Sequence, residues 1–270
     1  MKYLILFFYF ITINCFSQNS NATKEVKEKQ QVIVDEYLTN CALKYDYRIL
    51  MSDRQACLDE GLKIDSTIAY LWQQKAMPLF KSRKYEAGMI FLDKSVQYDE
   101  ESWLDYRAFI KCIFAKTYKD AIVDFEKCKE KVGNSYVMDH TYDFHIALSY
   151  LQLTDFKKAE EIFKKDTDEQ VKRLGEAHHL DLFYYGISLY EQLKYNEAII
   201  IFDRALKQYP RFSDVKFYKA IAMLRTGQPS ELANFLYKES AEDLKAGYTI
   251  NEDQIYYEMY PYQIEPLKNR

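Results

Sequence analysis

His140, His178 and His179, with Asp143 and Asp181 near them in the chain, supply the imidazole and carboxylate donors that a divalent ion such as Zn2+ accepts. His140 opens one apolar helical pattern, and His178-His179 open the next. Stacked about 10 Å apart, as packed helices are, the two patterns would bring three rings to one edge. None of the tight metal motifs such as H-E-x-x-H occurs. The expectation is therefore no metal, with these three histidines as the candidates and exposed helix starts as the plainer account.

The cysteines offer a second chemistry. Cys41 and Cys57 fall near the same level of two antiparallel helical patterns, where a disulfide is within reach. Cys112 lies near a turn and Cys128 towards the far end of its helix, about 10 Å away at ~1.5 Å per residue. That exceeds the ~7 Å between Cα atoms that a disulfide tolerates. The alternative for all four is burial as small apolar side chains.

Other chemistry is thinly supported. No G-x-S-x-G occurs, and the cysteines and histidines fit no catalytic signature. Gly61, Gly88 and Gly186 sit where helices must touch, and Gly133, Gly175, Gly227 and Gly247 follow helical patterns as caps do, so none remains for a phosphate loop. Charged runs such as Lys157-Lys158-Ala159-Glu160-Glu161 read as solvated helix faces. A net charge of −4 lacks the electrostatic footprint of a nucleic-acid binder. The chain is expected to be no enzyme and to need no cofactor.

These residues must be positioned by helices. In 180–210, Leu182, Tyr185, Leu189 and Tyr190 make one apolar stripe, and Ile199, Phe202, Ala205 and Leu206 make a second. Gly186, Ala198 and Ala205 are small where the two must meet, and Pro210 stops the pattern. The aromatic that opens each second helix recurs at Tyr85, Tyr118, Phe156 and Tyr195, in steps of 33, 38 and 39 residues. Helix extensions ending at Gly133 and Gly175 are expected to absorb the longer steps. Pro78 falls inside a helical pattern, with no account of its presence.

Leu182, Tyr185, Gly186, Leu189, Ala198, Phe202 and Pro210 occupy the spacing of the tetratricopeptide repeat, which the chain resembles. The resemblance implies an all-α fold, an α-solenoid of about six stacked antiparallel helix pairs. It also implies a concave groove lined by the first helices that holds a peptide or helix of a partner protein. Carried onto this sequence, the groove positions include Tyr70, Met77, Phe80, Trp103, Tyr106, Ile110, Ile113, Phe144, Leu148, Leu151, Phe183, Ile187 and Tyr190. So apolar a groove would not stay open to water, so something should fill it. The expectation leaves this stretch to a partner.

Around the repeats, residues 1–17 read as a secretory leader with Lys2, an apolar core, and Cys15 and Ser17 before the cut. Lipidation at Cys15 is the alternative. The mature chain is expected to be exported, periplasmic or extracellular, without a membrane span. Residues 18–29 read as a polar tether, 30–247 as the repeats, and 248–270 as an aromatic tail that packs on the last repeat. The function that follows is a non-catalytic protein-interaction scaffold. The alternative is a glycan-binding or hydrolytic component using the aromatic groove.

Overall fold

The computed structural model describes residues 24–250 and 258–265. The expected leader and Cys15 lie outside them, as do Tyr256 and Tyr257 of the tail. Helix α1 covers residues 24–34 and runs into a π-helical turn, Asp35–Thr39. The expected tether is thus helical from residue 24, with exposed Lys24–Glu28 and Lys29–Glu25 pairs one turn apart favouring the helix.

Contacts divide the chain into two units, Met1–Glu100 and Glu101–Arg270. In the first unit α2 (Met51–Ile64), α3 (Ala69–Lys81) and α4 (Tyr85–Tyr98) follow α1. Val34, Leu38, Leu58, Leu62 and Leu71 form its core, with Trp72 packed at the edge. A Cys41–Cys57 disulfide joins the segment after α1 to α2 across a Cα separation of 5.8 Å. Pro78 starts the last turn of α3, so the helix continues for only one turn beyond the missing amide.

The second unit carries α5 (Glu100–Ile113), α6 (Tyr118–Val132), α7 (Tyr142–Gln152), α8 (Phe156–Leu174), α9 (His179–Glu191), α10 (Tyr195–Gln208), α11 (Ser213–Arg225) and α12 (Ser230–Lys245). Consecutive helices pair, α7 with α8, α9 with α10 and α11 with α12, and each pair packs on the next. The first helices of these pairs are the more apolar. In α9 every residue from Leu180 to Leu189 is buried, because neighbouring helices and the tail surround it.

One turn geometry recurs between first and second helices. Arg83, Thr154, Leu193 and Gly227 all have positive φ, between 58° and 72°. The next amide in each case reaches back five residues, as from Lys194 to the Leu189 carbonyl at 3.0 Å. This is the Schellman closure of a helix, made here mostly without glycine. Glycine is needed instead at close contacts. A Cβ on Gly186 would meet the Phe202 ring at 2.4 Å, and one on Gly88 would meet the Phe80 ring at 2.4 Å.

The two longer repeats differ from each other. The 19-residue α8 ends at Gly175 in the left-handed region, an extended helix as expected. After Gly133 the extra residues form a hairpin instead, β1 (Tyr136–Val137) against β2 (His140–Thr141). Met138 and Asp139 both take positive φ, as a two-residue hairpin turn requires. The hairpin turns His140 over the first turn of α7 towards Asp181 at the start of α9.

Candidate functional site: the tail-covered face and the histidine cluster

Two constellations in the second unit bring polar groups out of the repeat pattern. The first is the bed of the C-terminal tail. Asp214, at the start of α11 and fully buried, accepts the Ile264 amide at 2.7 Å on one oxygen. Its other oxygen accepts the Thr249 hydroxyl at 2.8 Å and the Ile250 amide at 3.2 Å. Burial raises the Asp214 pKa, and these hydrogen bonds oppose the rise. A carboxylate with three donors from the returning chain anchors backbone, whatever side chains that chain bears.

Farther along, the Tyr184 hydroxyl of α9 donates to the Pro261 carbonyl at 2.9 Å. Tyr262 lays its ring against Tyr218 of α11 at 5.9 Å. Tyr260 is partly buried, which raises its phenol to about 12. Glu258 pairs with Lys116, in the turn between α5 and α6, at 3.0 Å. Residues 258–265 therefore run from Lys116 near the start of the unit across α9 to Asp214 of the last pair, farther than a cap on that pair.

The expected groove residues are placed differently by this arrangement. Phe144, Leu148, Leu151, Phe183 and Ile187 are 0–1% exposed and belong to the core of the second unit, as do Ile110 and Ile113. Phe183, for example, packs on Phe202 and on Phe212 of the next pair. The rings that meet the tail are Tyr184, one residue beyond the expected Phe183, and Tyr218 of α11. The error is one of helical phase, since a shift of one residue turns a side chain by about 100°. Trp103, Tyr106 and Tyr190 remain partly exposed in this unit. In the first unit Tyr70 is exposed, Met77 partly exposed, and Phe80 buried beneath Gly88.

The second constellation joins the hairpin to α9. Ring nitrogens of His140 and His178 and a carboxylate oxygen of Asp181 lie within 4.8 Å of one another. His140 Nδ1 is 2.6 Å from Asp181 Oδ1, and Asp181 is almost fully buried. Gln170 of α8 donates to the other Asp181 oxygen, accepts the His178 amide at 3.0 Å, and donates to Asp166 at 3.0 Å. Burial opposes ionisation of Asp181, but the charge and hydrogen bond of His140 bring its pKa below the usual value. Asp166, buried among the neutral donors Thr141, Gln170 and Asn134, is raised to about 6 by burial and by the Asp181 charge.

Two expected members lie elsewhere. His179 turns to Tyr209 and Phe212, and burial lowers its pKa to about 4. Asp143 pairs with Lys129 at 2.5 Å. Asp214 falls on the face that the repeat phase assigns to the groove, whereas Tyr184, Tyr218 and Gln170 lie outside the expected positions. Cys112 and Cys128 are buried, and burial raises the Cys112 thiol to about 12, far from a reactive thiolate.

Residues 182–211 match the tetratricopeptide repeat family. Solved structures share the architecture at low identity. PilW, described as a widely conserved type IV pilus biogenesis factor, aligns at TM-score 0.59 and 11% identity, over 81% of this chain and 93% of its own. A tetratricopeptide repeat protein from Parabacteroides merdae ATCC 43184 aligns at 0.58 and 13%, over 81% and 92%. MamA from Desulfovibrio magneticus RS-1 aligns at 0.54 and 13%, over 66% and 96%. A comparison with curated proteins returns no match. Residues 182–211 thus resemble a tetratricopeptide repeat, and the chain has the α-solenoid fold of stacked helix pairs that these structures share. No helix among the described residues is long and apolar enough to cross a membrane.

Proposed function

We propose that the chain is a non-catalytic interaction scaffold whose second unit binds an extended, aromatic segment of a partner protein on its first helices. The observation that carries this reading is the tail. Residues 258–265 lie on that face as a bound peptide would, held by backbone contacts to Asp214 and Tyr184 and by ring contact with Tyr218. A face that recognises main chain through two buried polar groups can recognise another chain with similar aromatics in the same way. The partner then competes with the tail instead of entering an empty groove. A glycan-binding or hydrolytic site would need exposed ring faces or paired carboxylates there, and the rings facing the tail are largely covered.

Export is part of the same proposal. It is supported by the leader pattern at 1–17 and by the Cys41–Cys57 disulfide, a bond that persists in oxidising compartments. Periplasm or extracellular space is the proposed location, with lipidation of Cys15 as the alternative route to a surface.

The test uses a labelled peptide of residues 256–265 and two proteins, the mature chain and a chain ending at Ile250 whose helicity is checked by circular dichroism. Saturable binding to the shortened chain, weakened at least ten-fold by the intact tail, is expected. A folded shortened chain that does not bind the peptide would refute the reading.

A further inference from the structure

We propose that His140, His178 and Asp181 form a binding site for a borderline divalent cation, Zn2+ in the first instance, which ties the hairpin to the start of α9. Three ligand atoms from two separate elements converge within 4.8 Å, although 38 residues of chain separate His140 from His178. Two imidazoles and one carboxylate are a ligand set that zinc accepts, with its fourth position open to water.

The atoms around the cluster hold its ligands in place. His178 Nδ1 accepts the Leu180 amide at 3.3 Å, a long bond that holds the ring at the start of α9 and that the ring gives up when it coordinates the cation. Gln170 fixes both the His178 backbone and the far oxygen of Asp181. The His140 ring is set by stacking on Phe144 at 4.1 Å. One buried glutamine that orients two of three ligands is the arrangement that outer-shell groups adopt around zinc ligands.

Solvent access also fits an ion. Asp181 is buried and His140 largely so, whereas His178 is exposed, which leaves one side of the cluster open for entry. Ligand bonds of 2.0–2.1 Å in a tetrahedron put neighbouring donors about 3.3 Å apart. The present 2.6 Å between His140 and Asp181 would open by about 0.7 Å as the cation replaces the shared proton. That displacement lies in a two-residue hairpin strand and not in the helix core.

The mature protein, free of any histidine tag, would be titrated with Zn2+ by calorimetry and in competition with a chromophoric chelator. One saturable site per chain is expected, with a rise in Tm as zinc is added. His178→Ala removes an exposed side chain, so it should keep the fold and lose the site. His140→Ala should lose it too, and Gln170→Ala should weaken it by about 10- to 100-fold. His179→Ala should leave it intact. Absence of saturable binding would overturn the proposal, as would a site that survives His178→Ala with the Tm rise unchanged.

Discussion

The Tyr184 hydroxyl donates to the Pro261 carbonyl at 2.9 Å across 77 residues of sequence. Tyr184 lies on α9 between the two aromatic layers of the second unit, touching Phe144 and Phe163 on one side and Phe183 on the other. A single hydroxyl at the rim of that packing marks where the helix core ends and the bed of the tail begins.

Replacing Tyr184 by Phe keeps the ring packing and removes that donor. The Pro261 carbonyl loses its partner, a cost of about 1 kcal/mol. Tail amides in residues 258–265 should then exchange with deuterium roughly five-fold faster, while those of α9 and α10 stay protected. Unchanged exchange in the tail would mean that Asp214 alone holds it.

Phe183→Ser distinguishes core from open surface. Phe183 is fully buried among Phe202, Phe212 and Tyr218. Losing such a ring costs about 3–5 kcal/mol, before the added cost of a buried hydroxyl. Urea unfolding should therefore show a large drop in midpoint. A shift below about 1 kcal/mol would restore Phe183 to the surface.

Thr154 takes φ 64° in the turn between α7 and α8. A β-branched side chain is strained in that region, and glycine is not. Thr154→Gly should stabilise the protein by about 0.5–1 kcal/mol, the relief of strain exceeding the extra chain entropy that glycine brings to the unfolded state. Thermal unfolding reads the sign directly.

His145 gives a pH dependence of known sign. Fully buried beside the Phe125 ring, it has its pKa lowered to about 3, chiefly by burial and then by the charge of His140. The unfolded chain takes up this proton near the ordinary histidine value, before the folded chain does, so stability falls as pH drops through about 6.5. By pH 5 the loss from this residue is about 2 kcal/mol. Asp166, raised to about 6, works in the opposite sense, since ionisation there is what burial disfavours. The comparison must therefore be made with His145→Gln, whose urea midpoint should fall by about 2 kcal/mol less than the wild type between pH 7 and pH 5.

The residues themselves determined the helix pairs. Period-3.6 stripes, small residues such as Gly186 opposite Phe202, and a proline at 210 leave few other ways to bury this chain. The same local logic foresaw that Cys41 could reach Cys57 and that Cys112 could not reach Cys128. Tertiary structure alone decided what covers the first helices. Periodicity tells that α9 is apolar on every side, but a stripe read from sequence drifts by a residue, enough to exchange Phe183 for Tyr184. Nor does any local signal reveal that residues 258–265 return to Asp214, because a buried carboxylate that binds passing main-chain amides leaves no pattern in the segment it holds. His140 is the same case. Its meeting with Asp181 depends on a hairpin of two-residue strands, too short to show a period, whose turn swings one ring onto the start of a helix in the next repeat.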